Sequence, residues 1–222
     1  MKITNNLAYL LGALRDGSLP KPSKNKYEVT IVADLDESWV IKVADITEKT
    51  FNILRDKLKI YKVMTNKSKQ PFYRLKVYSK QLHKLLTKFY PIGSQQEWRT
   101  PNKIKKAIMN QKIYYLSGFY DAEGGCRDAD KFLRGITKSI NCEAAIRCKH
   151  NYEINEPLEF IQSILNEFKI KSSIRKNKTG LIITGKQNLL KFYKTFKLLN
   201  LRKKKMLEDL LKYYKVLSSV EA

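Results

Sequence analysis

IYYLSGFYDAEGG, residues 113–125, carries no charge as far as Tyr120 and then delivers Asp121, Glu123, Gly124 and Gly125. The apolar part reads as a helix that ends at the glycines, because a glycine at C′ takes the left-handed conformation that closes a helix, here Gly124. That ending puts Glu123 in the last turn, where the macrodipole is negative and an anion is disfavoured by about 0.3–1 kcal/mol. An acid kept in such a place implies a positive partner.

The design recurs near the start. LAYLLGALRDGSL (7–19) is an apolar helical run with Gly12 inside it, followed by Asp16 and a closing Gly17. A second pair of segments repeats as well: KVYSKQLHKLL (76–86) and IITGKQNLLKF (182–192) each give a strand end, a turn, Lys-Gln and a helix. Asp16 to Glu123 is a step of 107 and Lys80 to Lys186 a step of 106, so two copies of one unit fill most of the chain. The expected division is 1–95 for the first half, 96–111 for a linker and lead-in helix, and 112–222 for the second half with a C-terminal helix.

A length of 222 residues suits one domain of two fused halves or two small domains. Neither a membrane span nor a signal-peptide pattern is read from the sequence, which predicts an intracellular chain. Cys126, Cys142 and Cys148 form no CxxC pair and only His83 and His150 could join them, which argues against structural zinc. Charge is more informative. The 44 Lys and Arg exceed the 21 Asp and Glu by 23, and a chain this basic repels itself unless it meets a polyanion, for which nucleic acid is the common intracellular candidate. Part of that charge lies in KIKK (103–106) and RKKKM (202–206), which on helices read as solvated faces.

Strand alternation assigns much of the remainder to one side. In FYRLKVY (72–78), Leu75 and Val77 oppose Arg74, Lys76 and Tyr78; in CEAAIRCK (142–149), Ala144, Ile146 and Cys148 oppose Arg147 and Lys149. KSSIRKN (171–177) groups Lys171, Ser173, Arg175 and Asn177 opposite Ile174. Such surfaces reach phosphates and base edges in a major groove, and they are also what a half-solvated antiparallel sheet looks like. Strands are expected near 27–34, 59–65, 72–78, 142–149, 171–177 and 181–185, with helices near 45–58, 79–90, 154–168, 187–198 and 202–217. PIGSQQEWRTP (91–101) reads as the link between halves, with Pro101 opening a helix toward the second motif and 202–217 as a packing extension.

LSGFYDAEG (116–124) matches the nine-residue LAGLIDADG signature at Leu116, Gly118, Asp121, Ala122 and Gly124, and YLLGALRDG (9–17) is a looser copy. The chain resembles the single-chain LAGLIDADG homing endonucleases. That resemblance implies an α+β fold of two pseudo-symmetric αββαββα-like halves, with motif helices packed at a pseudo-twofold axis and antiparallel sheets forming a saddle over DNA. It implies a site-specific endonuclease that binds a long asymmetric double-stranded DNA site as a monomer and hydrolyses both strands with Mg²⁺, for which Mn²⁺ substitutes. An intron RNA maturase, or a non-cleaving DNA-binding protein, on the same fold is the alternative.

By the same resemblance Asp16 and Glu123 bind the metal, the backbone carbonyls of Arg15 and Ala122 are further ligands, and Asp121 supports the helix rather than the chemistry. Gly12 and Gly118 sit at the helix interface, out of register by one, so an asymmetric pairing is expected. Members of the family place a lysine on a strand after each motif; here Lys149 takes that position in the second half, orienting water or holding phosphate, and Asp34 in the first. Cleavage of one strand would then be slower unless Lys24, Lys26 or Lys42 fills the space. Thr30, Arg74, Lys76, Tyr78, Arg147, Lys171, Ser173, Arg175 and Asn177 are the expected DNA contacts.

Overall fold

A computed structural model describes residues 2–24, 26–65, 70–127 and 143–213 of the chain. The expected strand start at Cys142 and the end of the last helix (214–217) lie outside the described residues. Thr4 caps the first helix by accepting from the Leu7 N–H at 3.2 Å. The order is then α1 (Asn5–Ala13), a 3₁₀ turn (Leu14–Asp16), β1 (Ser18–Leu19), β2 (Glu28–Asp34), α2 (Glu37–Phe51), β3 (Leu58–Val63), β4 (Phe72–Tyr78) and α3 (Lys80–Leu86). After β5 (Gly93–Ser94) and the single turn α4 (Asn102–Lys105) the plan repeats. It runs α5 (Met109–Glu123), β6 (Gly124–Arg127), β7 (Glu143–Arg147), α6 (Glu156–Glu167), β8 (Ser172–Ile174), β9 (Gly180–Thr184) and α7 (Lys186–Thr195), closed by α8 (Leu201–Tyr213).

Both sheets are antiparallel, and their orders correspond. The first runs β3-β4-β2-β1-β5, and the second, in the same sense, runs β8-β9-β7-β6. This is an α+β fold with a repeated αββαββα order, and each sheet turns one face inward. Val29, Val32, Leu75 and Val77 on the first, and Ala144, Ile146, Leu181 and Ile183 on the second, are fully buried.

The motif helices hold the two sets of elements together. Gly12 stands against the backbone of Tyr115 and Phe119 on α5, and Gly118 stands against that of Tyr9 and Ala13 on α1. A Cβ at either glycine would meet a carbonyl oxygen at 2.0 or 2.1 Å, so only glycine lets these backbones touch. The one-residue offset between the motifs thus still yields a reciprocal contact.

Four expectations need correction. The helix placed at 45–58 runs Glu37–Phe51 instead. Asp36 starts it by accepting from Trp39 N, Asn52 ends it at φ +50°, and Val40, Val43, Ala44 and Thr47 form its buried stripe. Gly124 is extended, at φ −83°, and leads straight into β6 rather than closing α5 in the left-handed region. The strands that leave each motif, β1 and β6, were not expected, nor was β5, which folds part of the 91–101 segment into the first sheet by pairing with β1. Finally, β8 stops at Ile174, so Asn177 lies in the turn before β9, where its side chain accepts from Thr179 N and Oγ1. No helix among the described residues is long and apolar enough to cross a membrane.

Candidate active site

Backbone contact at Gly12 and Gly118 brings the C-terminal ends of α1 and α5 side by side. Asp16, at the end of the 3₁₀ turn, and Glu123, in the last turn of α5, therefore line one cavity of ≈600 Å³ together with Arg147, Lys149 and Arg175. Ala33 N–H donates to Asp16 Oδ2 at 2.9 Å, which fixes the carboxylate beside β2. Burial first, and then the charge of Glu123, push the Asp16 carboxyl up to about 8. Burial likewise raises Glu123, against the opposing pull of Lys203, Arg15 and Arg147. Among the described residues neither acid has an ion pair, and the charges of Lys203, Arg15 and Arg147 act on the two without direct contact.

Lys203 brings a cation to the negative end of α5. Its Nζ donates to the carbonyls of Asp121 at 2.6 Å and Ala122 at 2.5 Å, and only 4% of the residue is exposed. RKKKM as a solvated face is thus corrected at Lys203, while the last helix packs as expected, with Leu207, Leu210 and Leu211 fully buried. Asn200 caps α8 through its side chain and places Lys203 at the third helical position, in one buried stripe with Leu207, Leu210 and Leu211. That i, i+4, i+7, i+8 spacing was the available signal.

Arg15 is a second buried cation beside the acids. Its guanidinium is 1% exposed, donates to Trp98 O at 2.7 Å and Cys148 Sγ at 3.1 Å, and lies 5.3 Å over the Phe119 ring. The two carbonyls expected to ligate metal are each already approached by a donor: Ala122 by Lys203, and Arg15 by the Gln95 amide at 3.1 Å. Carbonyl oxygens have two lone pairs, so neither contact closes the site.

Asp34 does not occupy a lysine's place on the outer face of the sheet. A register shift between Thr30 and Val32 sets Asp34 opposite Tyr73, on the same side as Leu75 and Val77. There it is buried and accepts from Arg202 Nη2 at 3.1 and 3.3 Å, with Lys203 Nζ at 3.7 Å. Lys24, Lys26 and Lys42 line neither cavity beside the acids. Asp121 accepts from the Tyr9 hydroxyl at 2.6 Å and from Leu199 N at 2.7 Å, contacts of a supporting residue.

The expected nucleic-acid contacts separate into groups. Arg147, Lys149, Arg175 and Asn177 gather around the acid cavity, and Arg175 also pairs with Glu143. Arg74, Lys76 and Tyr78 form an outer patch on β4, where Lys76 bonds Glu28 at 2.7 Å and Arg74 lies 5.4 Å over Phe72. Thr30, 9% exposed, pairs with Lys76 on that face. Lys171 and Ser173 are exposed but line no part of the acid cavity. The outer face of the second sheet is accordingly less cationic than alternation suggested: Ala145, Ile182 and Ser173 pair across it, and the cations stand at its ends. Cys126 and Cys148 are buried thiols, and no cluster of three or more metal-type ligands occurs among the described residues.

Twin αββαββα units joined through paired glycine-bearing helices, with a carboxylate at each helix end, define a two-motif class of protein. Comparison with known proteins is consistent with that class. Residues 110–197 match the family model of the LAGLIDADG-like domain. The homing endonuclease I-ApeI of Aeropyrum pernix is 30% identical over 173 residues, covering 74% of this chain and 67% of that protein. Among solved structures, I-WcaI bound to its DNA recognition sequence superposes with a TM-score of 0.63 at 16% identity, covering 93% of this chain and 88% of that one. I-DmoI in complex with its target DNA and Mn gives 0.56 at 19% identity, over 87% and 94% of the two chains. An I-DmoI complex with Mg gives 0.55 at 21%, over 87% and 96%. The chain belongs to the LAGLIDADG homing endonuclease family.

Proposed function

We propose that the protein binds a long, asymmetric double-stranded DNA site as a monomer and hydrolyses one phosphodiester on each strand with Mg²⁺, for which Mn²⁺ substitutes. The observation that carries this reading is the convergence of Asp16 and Glu123, from two helix ends, in a cavity rimmed by Arg147, Lys149 and Arg175. Two neighbouring acids without an ion pair among the described residues, Asp16 being raised by burial and by the charge of Glu123, suit a hard dication, which prefers oxygen ligands and retains several waters. Asp16 and Glu123 would hold it, with the carbonyls of Arg15 and Ala122 as the nearest further oxygens. When bound, the ion supplies positive charge for the scissile phosphate and acidifies water for in-line attack.

The protein groups do the rest. Arg147 and Arg175 clamp phosphate oxygens, and Lys149 orients the attacking water through a charge-assisted hydrogen bond. The outer patch with Thr30, Arg74, Lys76 and Tyr78 supplies contacts remote from the cut, joined by Lys171 and Ser173 on the other sheet. The names of the relatives support the reading: I-ApeI is a homing endonuclease, and I-DmoI and I-WcaI are seen on their DNA targets.

The test is cleavage of a randomised double-stranded DNA library in Mg²⁺, with sequencing of the cut ends, beside the Asp16→Asn and Glu123→Gln variants. Double-strand breaks at one long motif, abolished in both variants, are expected. Enrichment of bound DNA with no cutting in Mg²⁺ or Mn²⁺ would overturn the assignment.

A further inference from the structure

Glu123 has a second opening on its other side. A cavity of ≈530 Å³ there is lined by Ala33, Asp34, Glu123, Arg147, Arg202 and Lys203, so Glu123 and Arg147 serve both openings. The first opening has Lys149, from the strand side of the second half. The corresponding strand of the first half offers no lysine to the second opening. Its Asp34 is turned toward α8, where it holds Arg202 and lies 3.7 Å from Lys203.

We propose that Lys203, delivered by the C-terminal helix, grips a non-bridging oxygen of the scissile phosphate of one DNA strand, while Lys149 acts at the cut in the other. This rests on the endonuclease reading. An ammonium has three N–H donors. Two are taken by the Asp121 and Ala122 carbonyls, and Asp34 stands beyond hydrogen-bond distance, so one donor is available at the wall of the cavity. Capping the end of α5 takes two of the donors, and Lys203 also lines the cavity that Glu123 and Arg147 border. The surroundings are built to hold that charge in place. Asp36 accepts from Arg202 N at 3.1 Å, Asn200 accepts from Lys203 N at 3.1 Å, and the Trp39 ring lies 5.9 Å from Nζ. Lys203 is thus fixed next to Glu123 from the opposite side to Lys149; burial lowers the pKa of its ammonium, against the opposing pull of Asp34 and Asp16.

Three variants separate phosphate binding from bracing: Lys203→Gln keeps a hydrogen-bond donor for the helix end but not the charge, Lys203→Met keeps neither, and Lys203→Arg keeps the charge. The duplex recovered from the library, labelled on each strand, reports the two cuts separately. The Gln and Met variants are expected to slow one cut on the order of 10²-fold, so that nicked product accumulates, with Arg restoring part of the loss. Binding to a random-sequence duplex in EDTA is a second readout that needs no cleavage, and there the slope of log K against log salt should shrink by about 0.9 in the Gln variant. Wild-type behaviour of the Gln variant in either measurement, or equal slowing of both strands, overturns the proposal in favour of a purely structural lysine. So does a failure of all three variants to fold. If the wild-type protein cuts nothing, the endonuclease reading fails, and the salt slope still decides whether Lys203 meets phosphate.

Discussion

The phenol of Tyr9 donates to Asp121 Oδ2 at 2.6 Å, joining residues 112 positions apart and tying the first motif helix to the second. Trp39 Nε1 donates to the same phenol oxygen at 2.7 Å, so α2 enters the chain of bonds, and Leu199 N brings in the segment before α8. Asp121→Ala leaves a buried hydroxyl and a buried N–H without their acceptor. It is expected to cost about 3 kcal/mol, with Tyr9→Phe costing less and the double variant less than the sum. Urea unfolding curves measure this. Glu123→Gln, which removes one of two facing charges, should instead leave the metal-free protein as stable or more so.

At the helix crossing the expected effect is steric. Gly118→Ala places a methyl 2.1 Å from Tyr9 O, and Gly12→Ala one 2.0 Å from Tyr115 O, contacts that only separation of the backbones relieves. Each should cost at least about 1–3 kcal/mol, or several degrees in melting temperature, and should slow cleavage further by moving Asp16 away from Glu123. Melting and cleavage of the same preparations would show both effects; Ala variants that melt with the wild type would contradict this packing.

Much of the plan was legible because its signals are local. The doubled motif, the alternation in 72–78 and the Lys-Gln helix starts are all carried by neighbours in sequence, and the structure has the repeated order they imply. The site was legible as far as Asp16 and Glu123, whose positions at helix ends are local too. What escaped depends on tertiary placement. The Thr30–Val32 register shift alters which way Asp34 points, and alternation without a known pairing cannot register it. Lys203 looked like one cation in a run because three neighbours are also basic, yet its place on the Leu207, Leu210, Leu211 stripe buries it. The bounds of α2 differ from 45–58 because the Asp36 side chain caps the helix before Glu37 and Asn52 ends it in the left-handed region.

The acid pair makes stability depend on pH in a direction opposite to that of a salt-bridged carboxylate. Asp16 titrates at about 8 in the folded protein and near 3.8 when unfolded, so between those values the folded state keeps a proton that the unfolded state has released. The metal-free protein should therefore lose stability as pH rises from about 4 to 8. Asp16→Asn should flatten that slope and exceed the wild type in melting temperature at pH 8. Added Mg²⁺ or Mn²⁺ should reverse the trend, since a cation binds the deprotonated pair and stabilises more as pH increases. Thermal melts across pH in EDTA and in metal, on both proteins, measure the slopes, and a wild-type slope in EDTA equal to that of Asp16→Asn would contradict the assignment.

Arg74 and Arg175 were expected to act alike on DNA, and their surroundings separate them. Arg74 projects from β4 over the Phe72 ring with no acid partner among the described residues, and it belongs to the outer patch with Lys76 and Tyr78. Its planar guanidinium is available to a base edge, and a bidentate contact to guanine discriminates by about 1–3 kcal/mol. Arg175 instead borders the acid cavity, held by Glu143 on β7 and by its own N–H donating to Gly180 O at 2.8 Å. A guanidinium fixed there meets the backbone next to the cut. Arg74→Ala should relax selection at one base position of the recovered site while leaving the cleavage rate on the best site nearly unchanged. Arg175→Ala should weaken binding evenly across sequences, lower the salt slope by about 0.9, and slow cutting. Repeating the library selection with each variant distinguishes the two: a change of base preference confined to Arg175→Ala would exchange their roles and place the base-reading surface at the centre of the site instead of along β4.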